Sequence, residues 1–328
     1  MKYFFLLLLA ASVDVFAATP AYKLADTIKL GGEARWDFIY ADNSQHRLYV
    51  SHGSQTEVID TQTNKHIGTI TDTGGVHGIA VANDLGLGFT SNGKSNTVTV
   101  FDLGSLKLRS TISVGTNPDA IIYNPSTQRA ITFNGRSNDA TVIDAHRLEV
   151  IGTVVIGGKP EVAAIGQNGN IYFNIEDTDE IASLDPKAIT LTHRYSIKPC
   201  EGPSGLAIDK QQRLYSVCEN KMMVIATPDG KLIGQAPIGA RPDGVVWLDG
   251  YAFSANGGDG TISVVGETLA GKYETVATIT TAPGARTITA DEKTHKLYLP
   301  TADLQPAGAD GKRQGIADTF RVLVFDKQ

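Results

Sequence analysis

Short apolar runs that end in small polar residues recur seven times along the chain: residues 48–53 (LYVSHG), 88–93 (GFTSNG), 130–135 (AITFNG), 171–176 (IYFNIE), 214–219 (LYSVCE), 252–257 (AFSANG) and 297–302 (LYLPTA). A second short run follows each, ending at Asp60, Asp102, Asp144, Asp185, Ala226, Val265 and Asp326. The first four of these ends lie 42, 42 and 41 residues apart. That period suits four strands with their turns. A third run comes next, as in 106–114 (LKLRSTISV) and 148–156 (LEVIGTVVI). A Gly- and Pro-rich turn then leads into a fourth, as in 114–123 (VGTNPDAIIY) and 238–247 (IGARPDGVVW). In order these are strands b, c, d and a of a repeating sheet. The a runs are nearly continuous in apolar residues, which predicts strands buried on both faces nearest an axis.

The chain ends complete the pattern. Residues 22–30 (YKLADTIKL) read as a d strand with no b or c before it, and residues 321–326 as a c strand with no d after it. Joined, they finish a seventh sheet. The fold predicted is all-β: a seven-bladed β-propeller of four-stranded blades, closed by the N-terminal strand completing the last blade. Such closure leaves no unprotected edge at the seam.

Composition adds a compartment. Residues 1–17 read as a secretory signal peptide: Lys2 is the basic start, 4–11 an apolar run too short to span a bilayer, and Val15-Phe16-Ala17 a cleavage site, with Ala18 as the alternative. A buried first strand is the competing reading. Residues 18–328 are then expected to form one monomeric propeller domain, periplasmic or secreted. Membrane insertion is not expected, because no later apolar run is long enough for a transmembrane helix. The formal net charge is −6 and there is no long basic run, so the usual signature of a nonspecific grip on nucleic acid or anionic lipid is missing.

The LYVSHG and GFTSNG runs, the VTVFD and ATVID runs and the Gly/Pro turns together resemble the YVTN β-propeller family, and within it the exported YncE-like proteins. The resemblance spans essentially the whole mature chain. It implies an extracytoplasmic protein, and some members are linked to nucleic-acid binding. The chain departs from the pattern at Ile175 and Cys218, where other repeats carry Asn or His, and at Ala226 and Val265, where they carry Asp.

In a propeller the d–a and b–c connections share one face around the channel. Aligned d–a turns place Trp36, His77, Asp119, Glu161, Ser204, Asp243 and Arg286 in one ring. The ends of the b strands form a second: His52, Asn92, Asn134, Ile175, Cys218, Asn256 and Thr301. Arg35, Lys159 and Arg241 stand beside the first. Both rings vary in charge and shape from blade to blade. That points to a shaped polar pocket for a small ligand, peptide or protein; solvated turn residues capping strand ends are the plainer alternative.

His52, His77, Asp119 and Glu161 have side chains that suit zinc or another divalent metal. No HxH, HExxH or CxxC spacing supports one, so no cofactor is expected. Pro283-Gly284-Ala285-Arg286 faintly resembles a turn of propeller lactonases, yet Thr287 stands where their His would be, which removes the acid/base group. Lactonase or lyase activity is therefore only the alternative to non-catalytic binding. Single-stranded nucleic acid on Arg35, Trp36, Lys159, Arg241 and Arg286 is another, disfavoured by the acidic total. Cys200 and Cys218 fall at the start of an a strand and the end of its neighbouring b strand, where a disulfide is expected in an oxidising compartment. Two buried thiols or a redox pair are the alternatives. The connection 301–319 reads equally as a lid, a docking loop or a tolerated insertion.

Overall fold

A computed structural model of the chain describes residues 20–308 and 313–328. The expected signal segment 1–17 lies outside the described residues. Seven four-stranded antiparallel sheets make up the molecule. Blade 2 shows the pattern: Val76–Ala82 (a), Leu87–Asn92 (b), Thr97–Asp102 (c) and Leu108–Ser113 (d). No helix among the described residues is long and apolar enough to cross a membrane.

The repeated Asp at the end of strand c has a definite local role. Its carboxylate accepts backbone N–H groups from the next few residues and so shapes the c–d turn. Asp60 takes the N–H of Gln62 at 3.0 Å and of Thr63 at 2.7 Å; Asp102 takes Ser105 at 2.8 Å; Asp144 takes His146 at 3.0 Å; Asp185 takes Lys187 at 2.7 Å. The departures change the turn accordingly. After Ala226, the hydroxyl of Thr227 accepts from Lys231 N at 3.2 Å. At Val265 no turn forms, and the hairpin runs on through Thr261–Leu269 and Lys272–Thr280.

The ring closes as the chain ends predict. Strand Tyr22–Lys29 pairs antiparallel with Arg321–Lys327, from Tyr22 opposite Lys327 to Lys29 opposite Arg321. The last sheet therefore runs Thr289–Asp291, Lys296–Thr301, Arg321–Lys327, Tyr22–Lys29 from axis to rim. Tyr22 also sets its ring edge-on to Phe253 of blade 6, 5.3 Å between centroids.

The core lies between blades. Seven apolar clusters each join two neighbours, from Tyr49, Val58, Val81 and Phe101 between blades 1 and 2 to Ile28, Leu48, Tyr298 and Val324 between blades 7 and 1. The deepest strands are b and c, with their central residues wholly buried. The a strands are not covered on both faces as their apolar runs suggested. Ile122, Ala163, Val246 and Trp247 are half-buried, because the innermost strand borders the channel.

Cys200 and Cys218 form the expected disulfide, both fully buried, with 5.4 Å between Cα atoms. It ties the turn entering blade 5 to the end of that blade's b strand. The bridged positions are separated by 18 residues, and closing a loop of that size restricts the unfolded chain by about 3 kcal/mol. Replacing both cysteines by Ala is expected to lower unfolding stability by at least about that amount, read from denaturant melts. An unchanged midpoint would show that the bridge constrains nothing.

Candidate functional site

In blades 2–6 strand a carries an irregularity where it begins. The pairing with strand b shifts between Val76 and Ile79, Pro118 and Ile121, Pro160 and Ala163, Pro203 and Leu206, and Pro242 and Gly244. An extra residue in one strand of a ladder re-aims its side chain. His77, Asp119, Glu161, Ser204 and Asp243 all sit in these bulges, at the channel mouth. In blade 1 the equivalent residue is Asp37 rather than Trp36, since WDFI aligns with PDAI of blade 3. Trp36 takes the place of the Pro.

Asp37 is the hub of the site. Its Oδ2 lies 2.5 Å from His77 Nδ1, and its Oδ1 accepts from Arg286 Nη2 at 3.3 Å. Ser51 Oγ takes its backbone N–H at 2.7 Å, and Thr287 Oγ1 donates to its carbonyl oxygen at 2.6 Å. Arg286 also donates Nε to Asp243 at 2.8 Å and Nη2 to the Trp36 carbonyl at 2.9 Å, and its guanidinium lies over the Trp36 ring at 5.7 Å. Asp119 approaches His77 Nδ1 at 3.7 Å. Lys159 pairs with Glu161 at 2.8 Å and with Glu176.

So many charges in one half-buried space set each other's protonation. Burial tends to raise Asp37, but the His77 hydrogen bond and the Arg286 charge hold it below the usual carboxylate range. Burial and then the charge of Asp37 push Asp119 up to about 7. Burial and then the charge of Asp119 push Glu161 strongly upward, while Lys159 beside it lowers it in part. Desolvation would lower His77, but its bond to Asp37 and the charge of Asp119 raise it instead.

The other sequence-derived candidates divide. Asn92, Asn134 and Asn256 are fully buried and use their amides inside their own blades. Asn92 accepts from Thr90 Oγ1 at 2.9 Å and donates to Thr99 Oγ1 at 2.9 Å. Asn134 does the same with Thr132 and Thr141, and Asn256 with Ser254 and Ser263. His52 is the blade 1 counterpart. It pairs with Glu57 through Nδ1 at 2.8 Å, donates Nε2 to the Glu33 carbonyl at 2.5 Å and stacks on Phe320. In blades 1, 2, 3 and 6 the second ring thus braces strands b and c, whereas Thr301 donates to the Pro283 carbonyl at 3.1 Å and Cys218 is bridged to Cys200. Of the four metal candidates, only His77 and Asp119 come together, with Asp37 as a third donor. The donor set suits a cation poorly, because His77 and Arg286 already share the charge of Asp37.

Above the network opens a basin of about 1650 Å³. Arg35, Trp36, Asp37, His77, Arg241 and Arg286 line it. So do residues that sequence reasoning did not single out, Lys94 and Arg136, which follow the glycine ending strand b in blades 2 and 3. One wall comes from the 301–319 connection through Leu304, Arg313 and Gly315. The base of that connection is a built hairpin: Gln305 N donates to Gln314 O at 2.8 Å, Ile316 N to Asp303 O at 2.7 Å and Asp318 N to Gly32 O at 2.8 Å. Gly284, at φ +86°, admits Trp36 and Leu304 so closely that any side chain would press on both. Residues 309–312 of the connection lie outside the described residues.

The raised carboxyls fix a pH dependence. Where the folded protein holds protons that the unfolded chain has lost, stability falls as pH rises. Unfolded Asp and Glu lose theirs near pH 4, whereas Asp119 keeps its proton to about 7 and Glu161 beyond. Tm is therefore expected to fall between pH 6 and pH 9. Combining Asp119→Asn with Glu161→Gln should make that fall shallower, with raised His77 accounting for what remains. A wild-type Tm that is constant or rising over this range would contradict the protonation pattern.

No family model matches the chain, and neither does any curated protein. Solved structures do resemble it. Kuenenia stuttgartiensis hydrazine synthase is 17% identical with a TM-score of 0.70, over 88% of this chain and 96% of that one. U3-55K is 7% identical with a TM-score of 0.76, over 91% and 97%. The WD40 repeats of RRP9 are 7% identical with a TM-score of 0.77, over 92% and 97%. At such identities the likeness speaks for architecture alone, and it agrees with the sheet order: the chain is a seven-bladed β-propeller.

Proposed function

We propose that this propeller is an extracytoplasmic binding protein that holds a ligand in the basin at its channel mouth and performs no covalent chemistry on it. The observation that carries the reading is the basin itself. Its lining differs from blade to blade, while the surrounding blades repeat one packing scheme. A pocket with a few convergent polar groups is the default place for a ligand. The Trp36 ring, covered by the Arg286 guanidinium at 5.7 Å and stacked against Phe320, brings an aromatic edge and a cation together on the basin wall.

The non-catalytic part rests on how the reactive groups are engaged. His77 Nδ1 is held by Asp37, and the Thr287 hydroxyl donates to a backbone carbonyl. Neither pairs a nucleophile with an available base. The extracytoplasmic part rests on the signal-like N-terminus, the kinship with the YVTN family suggested by the repeat motifs, and the buried disulfide. Propellers commonly serve as interaction platforms, which supports the reading by analogy of fold.

The test is retention of small molecules and peptides from a cell extract by the purified protein, read by mass spectrometry. Wild type is expected to retain a defined species, and Trp36→Ala to lose at least about tenfold of it, as truncating a central aromatic anchor does. Equal retention by both proteins would remove the basin as the site. Release of a chemically altered species would replace binding by catalysis.

A further inference from the structure

We infer that the occupant of the basin is a small multivalent anion, a molecule carrying two or more phosphate or carboxylate groups. This rests on the binding reading above and deepens it.

The charge of the basin opposes that of the chain. The sequence carries a formal −6, yet Arg35, Lys94, Arg136, Arg241, Arg286 and Arg313 all line the basin. Three carboxylates face them, and each is engaged. Asp37 is held by His77 and Arg286. Glu33 lies 3.8 Å from Arg35, and Asp259 accepts the N–H of Ala240 at 2.6 Å. Lys94, Arg136 and Arg241 make no ion pair among the described residues. Their charges face the basin.

These three cations stand on two sides of the mouth, two on adjacent blades and one across from them. Lys94 and Arg136 come from the b–c turns of blades 2 and 3, Arg241 from the d–a turn of blade 6. A ligand with a single charged group meets one side of the mouth. A ligand with several can meet both, and a basin of about 1650 Å³ has room for it. Arginine forks match phosphate and carboxylate oxygens in pairs.

Backbone conformation sets where the blade 6 cation stands. The residue two before the ring position adopts positive φ in five blades: Gly75 at +70°, Asn117 at +56°, Gly202 at +57°, Arg241 at +51° and Gly284 at +86°. Four of these are glycine or asparagine, the residues that tolerate the conformation. Blade 6 alone among the five places a long cationic side chain there, against local preference. Positive φ recurs in the turns of this chain, at Leu106, Leu148, Ile189 and Lys221 among others, so what distinguishes blade 6 is the guanidinium that this turn carries to the basin.

Titration calorimetry with tripolyphosphate and with citrate tests the inference and separates phosphate from carboxylate preference. One or both are expected to bind at least tenfold more tightly than inorganic phosphate or acetate, and more weakly in high salt. Arg136→Gln and Arg241→Gln should each weaken that binding about tenfold, as losing one charge-assisted contact does. Arg241→Gly should weaken it equally while leaving Tm unchanged or higher, which separates ligand contact from folding. If no small anion binds, the inference falls. The binding reading survives that result if the extract assay recovers a neutral or cationic species dependent on Trp36, and falls with it if the extract assay recovers nothing. Binding of a single-stranded oligonucleotide without any small anion would also overturn the inference.

Discussion

Everything in this molecule depends on the fact that a four-stranded blade cannot bury its own apolar faces. Each blade needs a neighbour on both sides, and the seven interblade clusters are the core. A linear stack would leave two faces and two edges open to water and to other chains. The ring removes both problems at once, provided the last blade can be finished. Strand Tyr22–Lys29 finishes it by pairing with Arg321–Lys327, and Tyr22 reaches across to Phe253 of the blade before. The closing strand thus contributes to a sheet and to an interface together.

That constraint decides which positions are free to vary. Strands b and c are buried along their length and must repeat in character. Their polar ends are held by an internal brace, Asn to Thr or Ser, whose buried amides would be costly if unpaired. The turns at the channel mouth carry no such obligation. In blades 2–6 the bulge at the start of strand a lifts one residue out of the ladder, and in blades 1 and 7 the strand begins beyond Asp37 and Arg286, so in each blade that side chain can change without disturbing the packing. Blade by blade the chain has placed Asp, His, Asp, Glu, Ser, Asp and Arg there. Their mutual charges then fix one another, with Arg286 and His77 holding Asp37 ionised and Asp37 in turn raising Asp119.

Much of this was legible in the sequence because it repeats. The spacing of strand c, the unpaired d strand at the N-terminus and the placing of Cys200 against Cys218 each follow from counting, and the structure has them as expected. The candidate site was harder to read. In blade 1 strand a begins only at Ile39, so no pairing marks the register of the turn before it, and only the match of WDFI to PDAI puts Asp37 rather than Trp36 in the ring position. The b-strand asparagines looked like an open ring, yet their partners sit five and seven residues on, at Thr97 and Thr99 in blade 2. Alternating polar residues on two adjacent strands signal an internal brace, and that signal was present. Lys94 and Arg136 lie one residue past the repeat motif, where nothing in the pattern marks them.

The basin is not centred on the axis, because residues of blades 4 and 5 take no part in its lining. Blade 4 ends strand b in Ile175, and blade 5 ends it in Cys218, bridged to the adjacent turn. Both positions lost their polar brace, and neither blade lines the basin. On that side of the mouth Lys159 is held by Glu161 and Glu176, so its charge is neutralised within the protein. Across the mouth, the cations of blades 2, 3 and 6 are not paired this way. A repeat protein can acquire a directional site only by breaking its own symmetry. Here the break is chemical on one side, through the sealed turns of blades 4 and 5, and architectural on the other, through the hairpin that the seam blade inserts between its b and c strands.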